Sequence, residues 1–358
     1  MAPRILFIPA SGADGAGEYF RCLAIAQGIC RRWPRADIRF IVNRKAGYAN
    51  DVPFDSVLID GTPTFNTADV NRAIDAMQAD VAIFDSAGRV AQFAHARRSG
   101  AATVYISSRP TARWKGFRLR RMHYLEQHWL AWPRFLQGEL TRWERIKLGL
   151  MGRPTIVFLD PVLPLRSVAR ADDFLRGLGF EGRPYLLVSA GAGGHQRSGV
   201  PVPELLVAAA AMVGQTTGHP IVWVKGPNYR GNWHGAAGVM ELDAVAPSEL
   251  LDLVAHALLA VVNGGSLLLQ ALAVKTVCVA VPVAGDQAAR IDGCVRRGLA
   301  VGAPLDAESI AATIRALLQE PGRMAVIRSR LQELDLGNGV DQAVEALALL
   351  LWHKQKLR

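Results

Sequence analysis

Short runs of consecutive apolar residues alternate along this chain with segments whose apolar positions recur every three to four residues. The first run, RILFIP at residues 4–9, is bounded by turn signals. A strand covered on both faces needs apolar side chains at successive positions, so it reads as a buried parallel strand. Residues 11–17 form a glycine-rich loop, and residues 18–31 follow with helical spacing. The alternation continues with strands at 38–42 and 57–59, a helix at 70–78 and a strand at 81–84 that ends on Asp85. A helix at 90–98 and a strand at 103–106 come next.

A strand, a glycine loop and a helix open a Rossmann-like unit, and the short connections argue for a parallel sheet covered on both sides. Residues 109–147 break the rhythm with eight Arg, two Lys, four Trp and two His, and read as basic amphipathic helices inserted into the first domain. After a strand at 155–159, proline and charge mark a connection. A second alternation starts at Tyr185, with strands at 186–189, 221–224, 260–262 and 276–281. Helices at 204–212, 248–255, 266–273, 287–297 and 310–318 separate and follow them. The predicted class is α/β, with two Rossmann-like, doubly wound parallel-sheet domains facing across a cleft. The expected bounds are 1–165 with its insertion, a linker at 166–183, a second domain at 184–345 and a helical tail at 346–358.

Composition narrows the partners. Half of the 358 residues are apolar, enough for two cores, and 20% are charged, with no low-complexity tract. The formal charge of +10 suits an anionic ligand or surface. Cys22, Cys30, Cys278 and Cys294 include no CxxC pair, which points to reduced thiols rather than a disulfide frame or a zinc site. The first apolar run is too short for a signal peptide, and no run is long enough to span a membrane. A soluble, cytoplasmic chain is expected.

In such sheets, ligands bind outside the carboxyl ends of the strands, where helix N-termini offer unpaired amides to phosphate. Three glycine loops qualify: residues 11–18, the stretch Gly191, Ala192, Gly193, Gly194 and His195, and the stretch Asn263, Gly264, Gly265 and Ser266. The third is the most informative, because a helix starts at Ser266 and a further strand leads to Pro282, Asp286 and Gln287. Its first amides and the Ser266 hydroxyl suit a diphosphate. Gln270, one turn on, suits a ribose hydroxyl, and Asp286 and Gln287 suit sugar hydroxyls.

On these residues the chain resembles the nucleotide-sugar enzymes of the GT-B fold. These include the peptidoglycan N-acetylglucosaminyltransferase, the UDP-glycosyltransferases and the UDP-sugar hydrolase of pseudaminic acid synthesis. The hydrolase is similar at Gly264, Gly265 and Ser266, at Gly17, Glu18, Arg21, Cys22 and Leu23, and at Asp85 and Ser86. The resemblance spans most of the chain, and its specific part is residues 260–298. Two positions depart from the pattern: the family's ribose-binding carboxylate falls on Gln270, and its histidine after the first-loop glycine falls on Glu18. The resemblance implies a nucleotide-diphosphate sugar as co-substrate, UDP-sugar favoured, with no metal and no further cofactor.

Displacement at an anomeric carbon needs a base for the acceptor and charge stabilisation for the departing diphosphate. Glu18, Asp14 and Asp85 are the base candidates, with Glu18 preferred. Lys225 and Arg230 are diphosphate candidates, and His195 is a phosphate or acceptor donor. Residues 242–247 are expected beside the nucleotide base. Arg113, Trp114, Arg118, Arg120 and Arg121 represent a basic aromatic stretch suited to an anionic glycan or glycolipid acceptor, or to peripheral contact with the inner membrane face. No nucleic-acid motif is present. The leading expectation is a glycosyltransferase acting on an envelope glycan. A nucleotide-sugar hydrolase, a non-catalytic nucleotide-sugar binder and an epimerase are the alternatives.

Overall fold

The computed structural model describes residues 2–10, 16–180 and 182–356. In chain order the first part holds β1 (Arg4–Pro9), α1 (Gly17–Arg32), β2 (Asp37–Asn43), β3 (Asp55–Ile59), α2 (Thr67–Met77), β4 (Val81–Asp85), α3 (Val90–Arg98) and β5 (Ala102–Ser107). It continues with α4 (Pro110–Gly116), α5 (Leu119–Met122), β6 (Gln127–Leu130), α6 (Arg134–Gln137), α7 (Arg142–Met151) and β7 (Thr155–Phe158). The second part holds α8 (Val168–Gly177), β8 (Leu186–Ser189), β9 (Gln196–Arg197), β10 (Val200–Pro201), α9 (Val202–Thr217), β11 (Ile221–Val224), β12 (Val239–Leu242) and α10 (Pro247–His256). Then come β13 (Leu259–Asn263), α11 (Ser266–Ala273), β14 (Cys278–Val281), α12 (Gln287–Val295), β15 (Val301–Gly302), α13 (Ala307–Gln319) and α14 (Pro321–Glu333). The last helix is α15 (Gly339–Lys356).

Two compact units result: Met1–Leu163 with Gly337–Arg358, and Pro164–Leu336. In the first, seven strands run in the order β3-β2-β1-β4-β5-β6-β7, all parallel. In the second, six run in the order β12-β11-β8-β13-β14-β15, again all parallel, and β9 pairs with β10 as a separate antiparallel ribbon. The central strands are buried at nearly every position, as covering on both faces requires. Register lays Phe7 beside Phe40, and their rings stack at 5.0 Å.

The strand order reverses between β1 and β4 in the first sheet and between β8 and β13 in the second. Each reversal opens a crevice at the carboxyl ends of the strands, the place where doubly wound sheets take ligands.

Three organisational expectations differ from the structure. The segment read as a helical insertion contains β6, which pairs with β5 and β7, so it continues the sheet. Trp129 and Trp132 within it are buried core rather than surface. The expected linker carries α8, which packs on α10, and Arg166 pairs with Asp252. Residues from 337 onward belong to the first unit, because α15 packs on α1: a Cβ at Gly28 would lie 2.3 Å from Val340 Cγ1. Gln127 Nε2 also donates to the Ala346 carbonyl at 2.8 Å.

Candidate functional site

In the second unit, the crevice is made of backbone. The loops after β8 and β11 lie so close that a side chain is excluded at Gly193 and at Gly226, and the end of β13 is tied to the first of them. Gly193 has φ +81°, and a Cβ there would lie 2.2 Å from the Lys225 carbonyl oxygen; Gly226 has φ +91° and would meet the Gly191 oxygen at 2.2 Å. Asn263 ties two of the loops together: its Nδ2 donates to the Ala190 carbonyl at 2.9 Å, and its Oδ1 accepts from the Gly265 amide at 3.2 Å. Gly194 and His195 lie half-buried on the same loop, and the His195 carbonyl accepts from the Val202 amide.

Helix α11 starts on this platform. Gly265 is its N-cap and no side chain caps it, while Ser266 is exposed at its first position and Gln270 is half-buried one turn in. A helix start of this kind presents amide donors and the positive end of the macrodipole. Gly264 is buried, its amide bonded to the Val281 carbonyl and its carbonyl accepting from Arg290 Nη1.

Arg290, which sequence reasoning did not single out, is buried and also reaches the Asp286 carboxylate at 3.3 Å. It therefore links the start of α11 to the start of α12. The signal was an Asp–Arg pair four residues apart on a helix. Gln287 is buried, and its Oε1 accepts from the Val283 amide at 3.0 Å, so its amide shapes the loop after β14.

Lys225 is engaged locally. Its Nζ lies 3.0 Å from Glu241 Oε2 and 3.0 Å from Asp243 Oδ1, and these hydrogen bonds raise its pKa. Two carboxylates offset its charge, which removes the argument for it as the diphosphate's counter-ion. Arg230 is likewise turned onto the Pro227 and Tyr229 carbonyls.

In the first unit the crevice is made of charged side chains. Arg21 of α1 forms a bidentate pair with Asp85 at the end of β4, at 2.7 Å on both oxygens, and reaches Ser108 Oγ at 3.3 Å. Burial opposes the Arg21 charge, but the Asp85 carboxylate more than restores it and holds the guanidinium protonated. Asp85 is fully buried with both oxygens taken, which corrects the expectation of a base there: it anchors Arg21.

Glu18, in the first turn of α1, keeps partial exposure and accepts from Arg109 Nη2 at 2.7 Å. Burial pushes its carboxyl up, but the charges of Arg21 and Arg109 outweigh that and leave its pKa below the usual value. Asp14, the third base candidate, lies outside the described residues.

The basic aromatic stretch divides in two. Arg113 pairs bidentately with Glu144, and Arg121 donates to the Gly88 carbonyl and lies over the Phe93 and Tyr105 rings, so both serve internal packing. Trp114, Arg118 and Arg120 are exposed. Among the described residues no group of three or more His, Cys, Asp and Glu converges, and no helix is long and apolar enough to cross a membrane.

No family model matches the sequence, nor does any curated protein. Solved structures do match over nearly the whole chain. The spinosyn forosaminyltransferase SpnP is similar with a TM-score of 0.63 at 15% identity, covering 98% of this chain and 100% of its own. The calicheamicin glycosyltransferase CalG4 is similar with a TM-score of 0.61 at 17% identity, covering 98% of each. This chain has the GT-B fold.

A UGT transferase from Siraitia grosvenorii in complex with UDP shares it as well, with a TM-score of 0.58 at 13% identity over 96% of this chain and 98% of its own. Within the GT-B fold, the two sheets described above are its two parallel-sheet domains, and each crevice lies at the strand-order reversal of one of them.

Proposed function

We propose that the chain is a glycosyltransferase. It moves a sugar from a nucleotide-diphosphate donor, UDP-sugar favoured, to a hydroxyl of an anionic or membrane-linked envelope glycan. The observation that carries this reading is the uncapped start of α11, set on a platform of glycine loops at the strand-order reversal of the second sheet. In this reading its amides and the Ser266 hydroxyl hold the diphosphate, and Gln270, half-buried one turn into α11, is the candidate for a ribose hydroxyl; Asp286 and Gln287, engaged by Arg290 and the Val283 amide, shape the neighbouring loop. The solved structures that share the fold include glycosyltransferases and two UDP complexes, which supports the donor class.

In the reaction, the acceptor oxygen bonds to the anomeric carbon as the bond from that carbon to the diphosphate oxygen breaks. The acceptor proton passes to a base, and the negative charge gathers on the departing diphosphate at the α11 amides. Glu18 is the base in this reading, because Asp85 is buried and paired. Arg109 and Arg21 keep Glu18 ionised, and therefore able to accept a proton, down to lower pH than an isolated glutamate. The co-substrate is the only non-protein group the reaction requires.

Three measurements test this. A thermal-shift series with uridine, guanosine, thymidine and cytidine diphosphate sugars should show a shift with the uridine donors, worth about 2.7 kcal/mol at a ligand concentration a hundredfold above Kd. No shift with any donor overturns the reading. Turnover of the bound donor with no acceptor present would instead assign hydrolysis. The acid limb of kcat/KM should lie below the ordinary carboxylate range. Arg109→Ala should move it upward, because removing a cation raises the Glu18 pKa and protonates the base earlier as pH falls.

A further inference from the structure

Helix α7 carries two apolar stripes, and the fold covers only one of them. Leu148 and Met151 face inward and pack against Phe117, Met122 and Leu130. Successive helical residues are about 100° apart, so Trp143, Ile146 and Leu150 fall within roughly 60° of one another on a separate face. They are 72%, 56% and 74% exposed. A helix at a protein–water boundary needs one apolar stripe, and a second one asks for a second apolar neighbour.

The face is held rigidly. Thr141 and Glu144 form a capping box at the start of α7, and the Arg113–Glu144 pair locks the helix to α4. Helix α5 packs against both α4 and α7. Trp114 of α4 is 58% exposed, with the Arg118 guanidinium stacked 4.6 Å from its ring centroid.

The charge around this face is one-sided. Lys115, Arg118, Arg120, Arg142 and Arg145 are exposed, and among the described residues none of them forms an ion pair. The three acidic residues of the segment are taken: Glu144 by Arg113, Glu139 by Arg134 and Glu126 by Arg153.

We propose that α7, with α4 and α5 beside it, docks the protein onto a bilayer surface bearing anionic headgroups, with Trp143, Ile146 and Leu150 entering the acyl boundary. A neutral apolar partner would leave five cations without counter-charge, and a soluble polyanion would leave the apolar stripe in water. An anionic bilayer satisfies both at once. The helix lies in the interface plane, and nothing here depends on the donor reading.

Flotation with vesicles of phosphatidylcholine, with and without phosphatidylglycerol, tests this on the full chain. Binding should be at least about tenfold tighter to the anionic vesicles and should weaken with salt. Trp143→Ser/Ile146→Ser/Leu150→Ser should reduce it about tenfold, since each side chain removes apolar area from the acyl boundary. Arg142→Gln/Arg145→Gln should reduce it by about the same factor and flatten the salt dependence.

Brominated lipids should quench the tryptophan emission of the wild-type chain, a readout that needs no variant. Failure of the wild type to bind anionic vesicles, or absence of quenching, overturns the proposal. So does a triple variant that binds as well as wild type, which would show attachment by charge alone with no entry into the acyl boundary. The thermal-shift series is run without lipid, so failure of one reading is distinguishable from failure of the other.

Discussion

The two strand-order reversals solve the same geometric problem with opposite materials. At the first, Arg21, Asp85, Glu18 and Arg109 fill the carboxyl end of the sheet with paired charges. At the second, the space belongs to backbone: Gly193 and Gly226 let two loops touch, and the polar side chains Asn263 and Arg290 serve main-chain groups. A side-chain crevice can hold and tune a titratable group. A backbone crevice offers fixed dipoles that do not titrate and lose no side-chain entropy on ligand binding. In a transfer reaction, the first kind suits a base and the second suits a leaving diphosphate.

Three substitutions press on that contrast, starting with the largest effect. Arg21→Met should destabilise the first unit by about 3–5 kcal/mol, because it leaves the Asp85 charge buried without a counter-charge. Arg21→Met/Asp85→Leu should recover much of that loss in urea unfolding, and if the double variant is no better than the single, the pair is not what the first crevice is built on. Gly193→Ala should cost the second unit about 2–4 kcal/mol, since the new Cβ meets a carbonyl oxygen at a positive φ, and donor binding should fall with it. Ser266→Ala should weaken UDP-sugar affinity by only about 1 kcal/mol, because the amide donors of α11 remain. A loss approaching that of Gly193→Ala would mean that the second crevice also works through side chains.

Much of the fold was legible because buried parallel strands announce themselves. The strands at 186–189 and 221–224 and the helices at 90–98 and 266–273 have the bounds the pattern predicts. The misses share a cause. Strand β6 reads QHWL, and its polar side chains are drawn into buried hydrogen bonds that local spacing does not announce: Trp129 Nε1 donates to Gln127 Oε1, Gln127 Nε2 donates to the Ala346 carbonyl, and Ser107 Oγ and His128 Nε2 share a hydrogen bond of 2.8 Å. Strand β12 is a half-exposed edge with no apolar run.

The glycine loops could be placed from sequence, but the residues that hold them could not. Asn263 acts on a residue 73 positions earlier, and Arg290 on one 26 positions earlier, and local spacing records neither. The Arg21–Asp85 pair, 64 positions apart, was hidden in the same way, although an arginine within the buried side of α1 required a buried acid somewhere.

The placement of α15 has a consequence for synthesis. The ribosome delivers the first unit's seven strands early and its last helix only after the whole second unit. Until then α1 lacks its cover at Gly28, and the Gln127 amide lacks its acceptor. At about 5–20 residues per second that interval is roughly nine to thirty-five seconds. The nascent first unit therefore waits with an apolar groove open beside α1, and a chain stopped near residue 336 would be released with the same wound.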